Sequence, residues 1–178
     1  MIQRIIFAGF GGQGVLFAGK TTAYAGMDKG LEISWLPSYG PEMRGGTANC
    51  SVTVSDQPIG SPIITRPDVL IAMNKPSLEK FMNVVEPGGV IVYDSSLIDT
   101  KITRDDVTVA AIPAKKIADE AGSPTLANMV LLGGYVKNND VLSLDDLADS
   151  IKAHIPPKRM ELAEKNIELI RKGYDFEG

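Results

Sequence analysis

The sequence predicts a three-layer α/β/α domain with a mostly parallel central sheet. Short apolar runs alternate along the chain with segments of helical pattern, which is typical of a layered α/β fold. The runs are continuously apolar, and this indicates strands that are covered on both faces. The first run leads through a glycine-rich turn directly into a helical segment. With 178 residues and 44% apolar residues, we expect one domain over residues 1–178.

Six runs have the length and the β-branched content of buried strands. The predicted strands are Ile5–Ala8, Ile33–Leu36, Cys50–Val54, Val69–Ala72, Val90–Tyr93 and Val107–Ile112.

Three helices are predicted before residue 140. The first is Gln13–Lys29, directly after the first strand. The second is Ser77–Val85, with Ser77 as its cap and a Pro-Gly-Gly break after it. The third is Ser123–Lys137, where serine is the cap and proline takes the first helical position.

Two further helices are predicted near the C-terminus. Ser143 and Asp146 have the spacing of a capping box, so one helix should run from Ser143 to about Ala153. The last helix should open at Pro156-Pro157. Its pattern comprises an apolar stripe and two charge pairs at i,i+4: Met160, Ala163, Ile167 and Ile170, with Glu161/Lys165 and Glu168/Lys172.

The turn after the first strand carries four glycines. Gly9, Gly11 and Gly14 have the spacing of the dinucleotide fingerprint of Rossmann-like domains, in which backbone amides at a helix N-terminus face a phosphate. The fingerprint also needs an acid at the end of the second strand, where this chain has Leu36-Pro37. A nicotinamide or flavin site is therefore disfavoured. The turn binds an anion or a partner, or it is a tight turn without a ligand.

A second motif overlaps this turn. Gly14–Thr21 matches the P-loop pattern Gly-x4-Gly-Lys-Thr, and the apolar run ending at Asp94 resembles a strand with a magnesium-binding aspartate. The predicted strand ends at Ala8, however, and the residues after Gly14 are bulky and compatible with a helix. The lysine and threonine would lie inside a helix, where they cannot form a phosphate loop. The small residues, Gly19 and Gly26 among them, instead predict close packing on the sheet.

The segment Pro37–Thr47 is a shaped loop between two strands. It contains three glycines and two prolines in eleven residues, which excludes a long helix or a central strand. Loops of this kind on a rigid scaffold often carry function.

The glycine turn and this loop together resemble the gamma subunit of 2-oxoacid:ferredoxin oxidoreductases. The resemblance covers nearly the whole chain, and its 2-oxoglutarate branch is the most similar, with the pyruvate and ketoisovalerate branches also open. The segments that resemble the family are Gly9–Leu16, Trp35–Asn49, Val52–Asp56 with Pro58-Ile59, Pro67–Leu70 and Asn128–Gly134. The segments that favour the 2-oxoglutarate branch are Met43–Val52 and Met73–Phe81.

The resemblance implies a role in the oxidative decarboxylation of a 2-oxoacid to its acyl-coenzyme A, with electrons passing to ferredoxin. The cofactors carry the chemistry. The chain has one cysteine and no Cys-x2-Cys run, and it lacks the Gly-Asp-Gly motif of thiamine diphosphate sites. Thiamine diphosphate, magnesium and iron–sulfur clusters are therefore expected on alpha, beta and ferredoxin-like delta subunits, and the isolated chain should be inactive. The alternative is a P-loop or dinucleotide-binding protein that acts alone.

For this chain the resemblance implies binding residues but no catalytic residue and no metal ligand. We expect the glycine turn and Arg44 to face the phosphates of coenzyme A or a subunit interface. Arg44 could instead pair with Glu42 or cap a carbonyl within its own loop, and Asn128 could bond the loop or cap locally. The candidate residues are Gly9, Gly11, Gly12, Gln13, Gly14, Tyr39, Glu42, Arg44, Gly45, Gly46 and Asn128.

Composition excludes several classes of protein. The net charge is −4 and no basic stripe is present, which argues against nucleic-acid binding. No apolar run approaches the roughly 20 residues that cross a bilayer, and no signal peptide is visible. The single thiol, Cys50, fits a reducing cytoplasm and should be a buried core residue. The single histidine, His154, is expected only to favour a helix dipole.

Overall fold

The computed structural model describes residues 1–39 and 47–178. These residues contain one six-stranded sheet, and all six predicted strands are confirmed. Four of them are longer than predicted, β4 has the predicted bounds, and β6 begins one residue later than predicted. The strands are β1 (Ile2–Phe10), β2 (Glu32–Tyr39), β3 (Thr47–Ser55), β4 (Val69–Ala72), β5 (Val90–Asp94) and β6 (Thr108–Ile112).

The strand order across the sheet is β2-β3-β1-β4-β5-β6. Strands β1, β4, β5 and β6 pair in parallel, and β3 lies antiparallel between β1 and β2. Because β1 and β2 both oppose β3, five of the six strands point the same way. The prediction of a mostly parallel sheet is therefore confirmed.

The described residues form six α-helices beside the sheet, and a 3₁₀ turn at Pro157–Arg159 precedes the last one. The helices are α1 (Val15–Asp28), α2 (Lys75–Phe81), α3 (Ala114–Glu120), α4 (Ala127–Lys137), α5 (Leu144–His154) and α6 (Met160–Asp175).

Alternate residues of the central strands contribute side chains to two separate hydrophobic cores, one on each face of the sheet. Ile5 and Phe7 of β1 pack with buried residues of α1 and of α3 to α6 on one face of the sheet. Ile6 and Ala8 point to the other face, where they pack with Leu78 of α2 and the segment that follows it. Both faces of the sheet are thus covered, which confirms the three-layer architecture.

Helix α1 lies very close to the sheet because glycines face the strands. A Cβ on Gly19 would collide with the Cys50 sulfur, and a Cβ on Gly26 would come within 3.3 Å of Val54. These contacts confirm that the small residues of α1 serve packing.

The start of α2 differs from the prediction. Asn74, not Ser77, is the cap, because the Asn74 side chain accepts a hydrogen bond of 2.9 Å from the Ser77 amide. Pro76 follows within the first turn, where its missing N–H is no loss. The helix begins at Lys75 and ends at Phe81 rather than at Val85.

The predicted start of α4 at Ser123 is also wrong. Residues 123–126 form a separate turn, closed by a bond of 3.0 Å from the Leu126 amide to the Ser123 carbonyl. The helix begins at Ala127 instead. Its end at Lys137 agrees with the prediction.

Helix α3 was not predicted from the sequence. Its early amide, on Lys115, donates to the Asp94 carboxylate at 3.0 Å from 21 residues away. Asp94 also accepts a hydrogen bond from the Ser96 amide at 3.0 Å. The buried carboxylate of Asp94, at the end of β5, therefore accepts hydrogen bonds from the start of α3 and from the turn after β5. These bonds explain the buried aspartate without a magnesium ion.

The C-terminal helices confirm part of the predicted pattern. The capping box is present, since Asp146 N donates to Ser143 Oγ at 3.1 Å and Ser143 N donates to the Asp146 carboxylate at 2.7 Å. Ala163, Ile167 and Ile170 are buried in α6 as predicted, but Met160, at the helix start, is 36% exposed. Lys165 pairs at 3.1 Å with Glu168, three residues after it, rather than with Glu161 as predicted.

Candidate functional site

The glycine turn, Gly9–Gly14, lies at the carboxyl edge of the sheet between β1 and β4. The two strands are parallel neighbours, but α1 leaves β1 toward one face and α2 leaves β4 toward the other. A crevice opens at this edge wherever successive helices diverge in this way, and ligands of open α/β sheets bind there. The fold therefore places the turn at the favoured binding position of its architecture.

Two glycines of the turn adopt left-handed backbone conformations. Gly12 has φ +92° and Gly14 has φ +75°, both in the region that side chains disfavour. Gly14 is the N-cap residue of α1, and among the described residues no side chain caps this helix. The first amides of a helix lack intrahelical partners and carry partial positive charge, so this end of α1 favours an anion.

The side chain of Gln13 braces the turn from within. Its Oε1 accepts hydrogen bonds from the Phe10 amide at 2.7 Å and from Asn74 Nδ2 at 3.3 Å, and its Nε2 donates to the Met73 carbonyl at 2.9 Å. The amide thus joins the end of β1 to the residues that follow β4. Gln13 supports the site with its side chain rather than presenting that side chain to a ligand.

Gly9 and Gly11 complete the turn. A Cβ on Gly9 would lie within 2.9 Å of both Met73 and Val15, so only glycine fits where β1 meets these side chains. Gly11 is partly exposed at the rim of the crevice.

Asn128 reaches the same turn from the start of α4. Its side chain is 3% exposed; Nδ2 donates to the Gly14 carbonyl at 3.1 Å, and Oδ1 accepts from the Met129 amide at 3.0 Å. A local bond of the kind weighed from the sequence is therefore present, although the N-cap residue of α4 is Leu126 and not Asn128. The second bond, to the glycine turn, was not expected.

The loop between β2 and β3 starts and ends at this edge. Gly9 pairs with Ala48, which pairs with Tyr39, and Phe10 pairs with Thr47. Four candidate residues, Glu42, Arg44, Gly45 and Gly46, lie outside the described residues, and Tyr39 is described only as backbone of β2. Their binding roles stay predictions, as does that of the glycine turn.

The motif that resembles a P-loop is excluded by the geometry. Helix α1 begins at Val15, so Lys20 and Thr21 lie in its second turn. The Thr21 hydroxyl donates to the Phe17 carbonyl at 2.8 Å, and Lys20 Nζ lies 5.7 Å from the Tyr24 ring. Lys20 is exposed and Thr21 is 7% exposed, and both lie more than one helical turn beyond Gly14.

Cys50 is fully buried, as predicted, and burial raises the pKa of its thiol to about 12. A thiol with so high a pKa is not a nucleophile near neutral pH.

The prediction for His154 was wrong, because the residue does more than favour a helix dipole. Its Nε2 lies 2.9 Å from the Asp28 carboxylate, and its ring stacks on Tyr24 with 4.2 Å between centroids. These contacts join the end of α5 to α1.

Sequence reasoning missed Asn74. The residue is buried, caps α2 and touches Gln13, so it belongs to the framework of the crevice. The available signal was an asparagine two residues before a proline, which is a common helix start.

The described residues, 1–39 and 47–178, also bear on other classes of protein. No group of three or more potential metal ligands is found among them, and none of their helices is long and apolar enough to span a membrane.

Residues 4–176 match the family model described as pyruvate ferredoxin/flavodoxin oxidoreductase. The 2-oxoglutarate synthase subunit KorC of Methanocaldococcus jannaschii is 35% identical, with 98% of this chain and 94% of the relative aligned. The ketoisovalerate oxidoreductase subunit VorA of Methanothermobacter marburgensis is 38% identical over 97% of this chain. This chain spans only 36% of that VorA and 27% of the VorA of Methanothermobacter thermautotrophicus.

Solved structures agree with the sequence relatives. The gamma subunit of a keto/oxoacid ferredoxin oxidoreductase from Geobacter sulfurreducens is 29% identical, with TM-score 0.82 and coverage of 98% of this chain and 97% of that one. A 2-oxoglutarate:ferredoxin oxidoreductase chain from Magnetococcus marinus is 28% identical with TM-score 0.86, and it covers 97% of this chain, which corresponds to 30% of that one. The chain therefore belongs to the pyruvate ferredoxin/flavodoxin oxidoreductase family, whose members are oxidoreductases, and its relatives include gamma subunits of 2-oxoacid:ferredoxin oxidoreductases.

Proposed function

We propose that this chain is the gamma subunit of a 2-oxoacid:ferredoxin oxidoreductase that converts a 2-oxoacid and coenzyme A to an acyl-coenzyme A. The observation that carries the proposal is a family match over residues 4–176 in a chain that has a single, buried cysteine. One cysteine cannot hold an iron–sulfur cluster, which needs several thiolates. The chain therefore acts, as one domain, within a complex whose other subunits carry the electron path.

The lengths of the relatives support this assignment of partners. The chain matches KorC over nearly its full length, but it matches only about a third of VorA and of the Magnetococcus chain. The same fold thus occurs both alone and as part of a longer chain. A separate subunit must then dock where the longer chain has a covalent connection. We infer thiamine diphosphate-binding alpha and beta subunits and a ferredoxin-like delta subunit as partners, in the cytoplasm.

Coenzyme A is the ligand that the glycine turn would meet. The Magnetococcus structure was determined with 2-oxoglutarate, coenzyme A and succinyl-CoA bound. Coenzyme A carries phosphates, and the uncapped N-terminus of α1 at Gly14 is suited to an anion. Arg44 would add a guanidinium from the neighbouring loop, because both ends of that loop lie beside Gly9 and Phe10.

Assembly is tested by anaerobic purification of the affinity-tagged chain from its native cells. We expect thiamine diphosphate-binding and iron–sulfur proteins to copurify in fixed ratio. Recovery of the chain alone under gentle, oxygen-free conditions would contradict the proposal.

The substrate is tested on the purified complex by coenzyme A-dependent reduction of ferredoxin. The 2-oxoacids to compare are 2-oxoglutarate, pyruvate and 2-oxoisovalerate, and we expect 2-oxoglutarate to give the highest kcat/KM. The isolated chain should be inactive with all three, and returning it to a complex depleted of it should restore turnover. A preference for another 2-oxoacid would correct the branch, whereas activity without this chain would refute its role.

The coenzyme A contact is tested by Arg44→Ala in the assembled complex. We expect the KM for coenzyme A to rise roughly tenfold, which corresponds to about 1.4 kcal/mol from one charge-assisted contact. Arg171→Ala, on the exposed surface of α6, is the matched control. Intact assembly with an unchanged KM in the Arg44 variant would exclude this contact.

A further inference from the structure

A cavity lies between α1, α5 and α6, away from the glycine turn. Its volume is about 310 Å³, and α1, the end of α5, the 3₁₀ turn and α6 enclose it. Pockets of a few hundred Å³ hold small organic ligands. Much of the wall is apolar, and this part consists of Phe17, Ile151, Ile155, Pro156 and Leu162.

Two cationic side chains line this cavity, and neither pairs with a carboxylate in the described part of the chain. Lys20 and Arg159 both line it, and neither forms an ion pair within residues 1–39 and 47–178. Within the described part of the chain, no acidic side chain lines the wall. Asp28, the carboxylate next to it, is already engaged by His154 at 2.9 Å. The cavity is therefore complementary to a negative charge.

We propose that this cavity binds a small amphipathic organic anion. Its carboxylate or phosphate lies between Lys20 and Arg159, and its apolar body fills the space beside Ile151 and Leu162. The cavity shares no residue with the candidate site at the sheet edge. The proposal is therefore independent of the role proposed for the glycine turn, and the two can fail separately.

The test uses indole-3-acetate as a probe, because it combines a carboxylate with an apolar ring. Titration into the ¹⁵N-labelled full chain should shift amide signals around Lys20, Ile151 and Asn166 in two-dimensional NMR spectra. The matched probe, indole-3-acetamide, keeps the ring but carries no negative charge, and we expect it to bind at least fivefold more weakly. Equal binding of the two probes would overturn the role of the two cations.

Variants complete the test. The double variant Lys20→Ala, Arg159→Ala should weaken binding of indole-3-acetate at least tenfold. Lys158→Ala, which removes a neighbouring exposed cation outside the wall, should leave binding unchanged.

Absence of probe-dependent shifts in these signals would overturn the proposal. That result would mean that the cavity holds only ordered water or a side chain of a partner subunit. Equal loss of binding in the Lys158 control would also overturn it, because the anion would then be held by general surface charge.

Discussion

Asn128 Nδ2 donates a hydrogen bond of 3.1 Å to the carbonyl oxygen of Gly14, although 114 residues separate the two in the chain. Gly14 is the N-cap of α1 and Asn128 is the second residue of α4, so this bond holds the starts of two helices together beside the glycine turn. The shape of the turn therefore depends on a residue that belongs to a distant helix.

Gly14→Ala should destabilise the chain by about 2–4 kcal/mol, since a left-handed residue would gain a side chain and that side chain would collide with Asn128. Urea denaturation measures the free energy of unfolding. Gly12→Ala is the matched control, because Gly12 also has positive φ but has open space around it. We expect about 1–2 kcal/mol there. Equal losses in the two variants would show that the contact with Asn128 is unimportant.

Gly19→Ala should destabilise the fold by about 1–3 kcal/mol, because its new methyl group would press against the Cys50 sulfur and push α1 from the sheet. Removing the sulfur should relieve the collision. The double variant Gly19→Ala, Cys50→Ala should therefore lose roughly 1 kcal/mol less unfolding free energy than the two single variants lose in sum. Strict additivity of the unfolding free energies would argue against a direct contact.

Stability should fall above pH 9 because of Cys50. Burial raises the pKa of the folded thiol from 9.0 to about 12, so between these values the thiol ionises only in the unfolded chain. That ionisation favours unfolding by up to about 1.4 kcal/mol per pH unit.

Cys50→Ala should reduce this slope, measured by urea denaturation between pH 8 and 11. A smaller decline should persist in the variant, since burial also raises the pKa of Tyr135. A slope that is the same with and without the thiol would contradict the assigned cause.

Asp28→Asn should lower stability at neutral pH by a few tenths of a kcal/mol, because the carboxylate contacts His154 at a partly exposed position. Hydrogen bonding by Ser150, with a further contribution from His154, holds the pKa of Asp28 below its usual 3.8. The stabilisation is therefore present above pH 3.8 and is lost as the pH falls through the lower folded value.

The difference between wild type and the Asp28 variant should accordingly shrink in thermal melts below pH 4. Asp149→Asn, on the exposed surface of α5, is the control. A difference that grows on acidification would have the wrong sign for this pair.

Local patterns predicted much of the fold. Strand β4 is confirmed at both ends, and the capping box of Ser143 and Asp146 is confirmed in both of its hydrogen bonds. These features depend on residues a few positions apart, where the spacing of apolar and capping residues carries the information. The rejection of the P-loop was correct for the same reason, because residues 15–18 already have a helical pattern.

Features held by distant residues could not be predicted in this way. Helix α3 receives its cap from Asp94, and His154 finds its partner at Asp28, 126 residues away. The bond from Asn128 to the glycine turn has the same character. Each depends on which strands and helices become neighbours, and this information is absent from any short window of sequence.

The bracing of Gln13 has a consequence for association. Its three side-chain hydrogen bonds already hold the glycine turn to the ends of β1 and β4 in the unbound chain. A preorganised surface loses little conformational entropy when a partner or ligand meets it. The turn should therefore behave as a rigid template, and an incoming group must adapt to its shape.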